Sequence, residues 1–90
     1  MDKCLAICVF GRVQHVGFRH FAVKEAVKYH ICGFVRNEND GSVYIEACAK
    51  EKDLDLYISA INKGPAWGRV DKLSITLLPQ RSFKGFKVQY

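Results

Sequence analysis

The sequence predicts one α+β domain in which helices cover a single face of a β-sheet. Three observations lead there. The chain has 90 residues, the size of one domain with one modest core. Its apolar residues recur at two-residue steps in some stretches and at three- and four-residue steps in others, which separates strands from helices. Read in order, these stretches give β-α-β-β-α-β with one further terminal strand, and no internal repeat, linker or low-complexity segment interrupts them. That is the order of a ferredoxin-like (split βαβ) sandwich, here a five-stranded antiparallel sheet with two helices on one face, spanning residues 1–90 as a single domain.

Each element has a local reason. Lys3 to Phe10 alternates Leu5, Ile7 and Val9 with Cys4, Ala6, Cys8 and Phe10. Both faces are apolar, which predicts a central strand. Phe18 to Tyr29 carries Phe18, Phe21, Ala22, Ala26 and Tyr29 at helical spacing, with Lys24 and Lys28 off the stripe and Gly33 as the stop signal after it. Gly33 to Asn37 and Ser42 to Ala49 read as a hairpin joined at Asn39–Asp40–Gly41, residues that tolerate left-handed backbone. Asp53 to Asn62 is a second helix with Leu54, Tyr57, Ile58 and Ile61 on its buried side, ended by Gly64–Pro65. Arg69 to Leu78 is a fourth strand closed by Pro79, and Phe83 to Tyr90 a last one.

Composition narrows the function classes. The chain is 49% apolar and carries a formal net charge of +5, which suits an anionic partner but does not choose one. No window approaches the ~20 apolar residues that cross a bilayer, and the N-terminus has no signal-peptide pattern, so a cytoplasmic location without membrane partners is the expectation. The four cysteines are Cys4, Cys8, Cys32 and Cys48. Cys4 and Cys8 on one strand would lie roughly 13 Å apart, too far for a disulfide or joint metal ligation. With no C-x-x-C present, all four are expected as reduced, mostly buried thiols. His20 and His30 share the first helical region with no carboxylate or cysteine pair at ligand spacing, so no metal and no cofactor is expected.

The stretch Gly11–Arg12–Val13–Gln14–His15–Val16–Gly17–Phe18–Arg19 is the candidate site. It is short, basic and glycine-containing, and it runs from a strand into a helix start. Unpaired backbone N–H groups and the positive end of the helix dipole make such a turn suited to an anion. It is no Walker motif, since G-x(4)-G-K-[ST] is absent. On local physics alone, an anion site and an ordinary strand–helix connection are equally good readings.

The nine residues resemble the acylphosphatase family signature G-R-V-Q-G-V-G-F-R, and eight of the nine positions match. The resemblance continues through Gly33–Phe34–Val35–Arg36–Asn37, Asp40–Gly41–Ser42–Val43, Gly64–Pro65 with Val70, and Phe86–Lys87–Val88, and so covers essentially the whole chain. It implies the same ferredoxin-like sandwich. It also implies hydrolysis of acyl phosphates to a carboxylate and inorganic phosphate. In that reading Arg19 is the arginine that holds the phosphoryl group and Asn37 the asparagine that orients the attacking water. Gln14, His15, Val16, Gly17, Phe18 and Arg19 form the substrate-binding loop. The side chains of Gln14 and of the preceding Arg12 are expected as scaffolding rather than chemistry.

That chemistry follows from the residue types. A guanidinium can grip two phosphoryl oxygens with parallel hydrogen bonds, and loop N–H groups add donors. The leaving group is already a good one, so positioning and electrostatics suffice without a protein nucleophile. Asn37 is neutral and can hold water without repelling the phosphate. His15 is the departure, because the family has glycine there, which takes a positive φ freely. A histidine in that conformation costs roughly 1 kcal/mol, and its imidazole stands beside the phosphate. Trp67, after Gly64–Pro65, reads as a packing residue.

Two other classes stand beside this reading. One is a phosphate-binding or regulatory module of the same ancestry that does not hydrolyse its ligand. The other is an RNA-recognition domain, which shares the element order and stacks bases on strand aromatics. Lys84–Gly85–Phe86–Lys87–Val88–Gln89–Tyr90 superficially fits the motif K-G-[FY]-[GA]-[FY]-V-x-[FY], but it is one residue short and on the last strand rather than the third. The expectation is therefore a monomer that takes a small acyl phosphate or inorganic phosphate and no nucleic acid.

Overall fold

The computed structural model describes residues 2–90. The chain runs β1 (Lys3–Arg12), α1 (Phe18–Lys28), β2 (Cys32–Asn37), β3 (Val43–Ala49), α2 (Glu51–Lys63), β4 (Arg69–Leu78) and β5 (Phe86–Val88). The strands form one five-stranded sheet in the order β4-β1-β3-β2-β5. Strand β1 is central, as its two apolar faces predict, and it pairs antiparallel with β3 (Ile7 opposite Ile45) and with β4 (Ile7 opposite Ile75). The two helices pack on the face carrying Ile7, Val9, Val35, Val43 and Ile45, and contribute Phe18, Ala22, Ala26, Leu54, Tyr57 and Ile61 to the core. The Tyr57 hydroxyl donates to the Ala22 carbonyl at 3.0 Å, tying α2 to α1 in the buried layer. No helix is long and apolar enough to cross a membrane.

Four expectations need correction. The sheet is mixed, because β5 lies parallel to β2, with Gly33 opposite Phe86. Its strand is short, three residues rather than the whole of 83–90. The reason is the path of the chain. It leaves β4 at one sheet edge and crosses the uncovered face, where Phe83 packs on Phe34 at 5.9 Å and Arg81 reaches Glu46 at 2.6 Å. It then enters the far edge running the same way as β2.

The second correction concerns the thiols. Cys4 and Cys48 face each other across β1 and β3 and are joined in a disulfide, while Cys8 and Cys32 are free and half-buried. Comparing neighbours along one strand missed a pair set side by side by strand register.

Third, α1 ends at Lys28, within a residue of the expected Tyr29, but the stop signal after it is His30 rather than Gly33. His30 takes φ 60, the Ile31 N–H donates to the Ala26 carbonyl at 2.8 Å, and the His30 N–H donates to the Val27 carbonyl. That is a Schellman cap with histidine where glycine is usual. Fourth, α2 begins two residues early, at Glu51. Glu51 and Asp53 fill its first turn, where carboxylates offset the helix dipole.

One end of the sheet gathers the segments that flank the candidate site. There β1 and β2 finish, β3 and β4 begin, and the parallel β5 delivers the C-terminal Tyr90. An antiparallel β5 would have carried Tyr90 to the opposite end.

Candidate active site

The loop between β1 and α1 lies at that end. Strand β1 extends to Arg12 through an irregularity between Phe10 and Gly11. Gly11 has φ 136, and a β-carbon there would sit 2.2 Å from the Arg69 carbonyl oxygen, so no other residue fits. Gly17 caps α1 with φ 77, no side chain caps the helix, and no acidic residue occupies its first turn. The first N–H groups of α1 are left for an anion, with no carboxylate to compete. Val13 and Phe18 point into the core and pin the loop at both ends.

The loop is also tied sideways. The Gln14 side-chain amide donates to the Glu38 carbonyl at 2.7 Å and to the Ser42 carbonyl at 2.8 Å. Both belong to the β2–β3 hairpin that follows Asn37, so Gln14 couples the loop to the strand carrying Asn37. The hairpin is itself closed by Asp40, whose carboxylate accepts from the Ser42 N–H (2.9 Å) and hydroxyl (2.6 Å). Those bonds hold the Asp40 carboxyl below the usual carboxylate range.

A cavity of about 340 Å³ opens between loop, helix start and sheet end, lined by His15, Gly17, Phe18, Arg19, Asn37 and Tyr90 among others. It brings together five of the residues singled out from the sequence: His15, Gly17, Phe18, Arg19 and Asn37. Gln14 and Val16 lie outside it. The Gln14 side chain is spent on the hairpin, and Val16 lines a neighbouring groove with Arg12. His15 takes φ 62 and is exposed, so the loop keeps the backbone conformation of a glycine at this position.

Arg19 takes part in none of the ion pairs among the described residues, which are Lys3–Glu51, Arg36–Glu38, Arg69–Asp71 and Arg81–Glu46. Its guanidinium instead lies over the Tyr90 ring, 5.1 Å from the centroid. Such a cation–π contact is worth roughly 0.5–1 kcal/mol at an exposed site and orients the fork without neutralising it. The sequence reading missed Tyr90, because its place depends on the parallel pairing of β5. A hint was available in Arg19 itself, a cation in the first turn of α1 with no acidic residue in that turn to hold it. Asn37 has its side-chain carbonyl oxygen buried, with no hydrogen-bond partner among the described residues.

Other chemistry is poorly supported. No group of three or more His, Cys, Asp and Glu is placed to hold a metal ion among the described residues. Burial, reinforced by the Glu38 and Asp40 carboxylates, pushes the Cys8 thiol up, away from a reactive thiolate.

The acylphosphatase family profile matches residues 5–88. An acylphosphatase of Leuconostoc mesenteroides is 41% identical over 88 residues, covering 97% of this chain and 98% of its own length. One of Clostridium acetobutylicum is 41% identical over 91 residues, covering 100% and 99%. The crystal structure of acylphosphatase from Bacillus subtilis superposes with a TM-score of 0.95 at 35% identity, covering 100% of both chains. Sheet, loop and full-length matches agree, and the chain belongs to the acylphosphatase family.

Proposed function

We propose that this chain hydrolyses the carboxyl–phosphate bond of acyl phosphates, with Arg19 and the loop amides binding the phosphoryl group and Asn37 orienting water. The observation that carries this reading is one cavity lined by both an arginine and an asparagine carbonyl oxygen that, among the described residues, have no ion-pair and no hydrogen-bond partner respectively.

The phosphoryl group enters at the start of α1. Two of its oxygens accept from the Arg19 guanidinium, and the others from backbone N–H groups of the loop. An orphaned buried acceptor costs about 1–3 kcal/mol. A water that donates to the Asn37 carbonyl oxygen relieves that cost and is thereby aimed at phosphorus. As the water oxygen bonds to phosphorus, the bond from phosphorus to the acyl oxygen breaks. The carboxylate leaves with the electron pair, and the water proton passes to a phosphoryl oxygen. Charge on the phosphoryl oxygens is met by donors already in position, so no reorganisation accompanies the step. The family supports this substrate class. The expected working form is a monomer in the cytoplasm that needs no metal or cofactor.

The test is hydrolysis of acetyl and benzoyl phosphate in EDTA by wild type, Arg19→Ala and Asn37→Ala. Arg19→Ala loses phosphate affinity and at least ~100-fold in kcat/KM, and Asn37→Ala loses ~100-fold in kcat with phosphate inhibition within about threefold of wild type. Full activity in either variant overturns the assignment. Wild type that binds phosphate without hydrolysing either substrate marks a phosphate-binding module instead.

A further inference from the structure

Beside the phosphate cavity runs a second, larger groove, and three features of it are unexplained by phosphoryl binding. First, the β1–β4 register sets Arg12 directly opposite Arg69. Like charges in cross-strand register destabilise a sheet. Arg69 is compensated by Asp71 at 2.8 Å, but Arg12 has no ion-pair partner among the described residues. Second, Trp67 stands in the same groove with 83% of its surface exposed, contrary to the packing role read from the sequence. Third, the turn that carries Trp67 is pressed against the phosphate loop. A β-carbon on Gly68 would lie 3.1 Å from the Arg12 carbonyl oxygen and 3.2 Å from the Val16 side chain, so the indole is presented by a close backbone contact. The groove encloses about 670 Å³, and His15 lines both it and the phosphate cavity.

We propose that this groove is the subsite for the acyl portion of the substrate, and that it takes an acyl chain bearing a second anionic group. The proposal rests on the reading that the phosphoryl group sits in the cavity at Arg19. An acyl phosphate held there carries its acyl chain past His15. The apolar body of the chain lies along the Trp67 face, and its distal anion reaches Arg12 and relieves the repulsion between Arg12 and Arg69. A guanidinium and an exposed indole flanking one groove suit a flat or extended body with a charged end. A short neutral acyl group such as acetyl makes neither contact.

The test uses the full chain and two substrates that differ by one carboxylate remote from the reacting bond, benzoyl phosphate and 4-carboxybenzoyl phosphate. Wild type is expected to show kcat/KM about tenfold higher for the carboxylated substrate, the effect of one charge-assisted contact at a solvated site. Arg12→Gln brings the ratio to about one, with acetyl phosphate kcat within about twofold of wild type. Trp67→Ala raises KM for both aryl substrates and leaves acetyl phosphate unaffected. A ratio near one in wild type, or a preference that survives Arg12→Gln, overturns the proposal. Trp67 is the chain's single tryptophan, so its fluorescence reads the groove without turnover. Terephthalate titrated in the presence of inorganic phosphate should bind about tenfold tighter than benzoate in wild type and equally in Arg12→Gln. If neither acetyl nor benzoyl phosphate is hydrolysed, the catalytic reading fails and this titration decides the subsite alone. Selective saturable binding of terephthalate then supports it, and its absence overturns it.

Discussion

Replacing Gln14 by alanine removes the two hydrogen bonds that hold the phosphate loop to the β2–β3 hairpin, at 2.7 and 2.8 Å. Neither carbonyl is orphaned by the change. The Glu38 carbonyl still accepts from the Gly41 N–H, and the Ser42 carbonyl from the Glu38 N–H. The cost is therefore the net worth of two part-buried neutral bonds, about 1–2 kcal/mol, without the penalty of stranded acceptors. In a domain of this size that lowers Tm by about 4–15 °C. The functional effect is separate from the loss of stability. Asn37 immediately precedes Glu38, so Gln14 sets the distance between the loop and the water-orienting amide. Misplacement of a positioned group by ~1 Å can cost ~100-fold, and partial loosening is expected to lower kcat about tenfold. Inhibition by phosphate should stay within about threefold, because Arg19 and the loop amides are untouched. Thermal unfolding and steady-state hydrolysis of acetyl phosphate measure both effects. Gln14→Glu orders the series further. Its ionised carboxylate is an acceptor facing two carbonyls, so it should fall below alanine in stability. Gln14→Ala within ~0.5 kcal/mol and twofold of wild type in kcat, or Gln14→Glu matching wild type, would refute the coupling.

Element order and the signature loop were readable because both are local. Strand β4 was bounded from sequence at Arg69 and Leu78, where Pro79 follows, and the Asn39–Asp40–Gly41 turn carries its own side-chain closure. The glycine-like φ at His15 was legible from the resemblance, since backbone shape follows the loop rather than the residue. What escaped is set by partners distant in sequence. Cys4 meets Cys48 only through register, 44 residues away. Tyr90 meets Arg19 only because the chain crosses the open face of the sheet before β5. Glu46 is buried on that face because Arg81, from the crossing segment, and the Tyr44 hydroxyl hold it at 2.6 and 2.7 Å. Trp67 was read as packing because an apolar residue after a turn usually packs. It is instead exposed beside Gly68, whose close seat against Arg12 and Val16 depends on a loop some fifty residues earlier and is not a local pattern.

Two further measurements probe the frame around the site. Reducing the Cys4–Cys48 bridge, which closes a 44-residue separation, should lower unfolding stability by up to about 4 kcal/mol on the loop-entropy account. Activity of the folded protein should be unchanged, because the bridge lies eight residues, or ~26 Å, down β1 from the loop. Equal urea midpoints with and without reductant would refute the first claim, and a loss of kcat the second. The acid limb of stability tests the hairpin. Asp40 accepts two hydrogen bonds from Ser42, and its folded pKa lies below the ordinary value. A depressed carboxylate pKa contributes stability that is present above the unfolded pKa, about 3.9, and is lost as pH falls through the folded value. Ser42→Ala removes the hydroxyl and raises the Asp40 pKa, which a carboxyl NMR titration reads directly. Its stability deficit should be largest near neutrality and shrink below pH ~4, where the protonated Asp40 no longer favours the hydroxyl contact. The direction matters, because Ser42 is itself buried and its loss could act through packing alone. A packing cost is blind to the charge on Asp40, so an equal deficit at pH 7 and pH 3 would remove the carboxylate from the account of how the hairpin beside Asn37 is held.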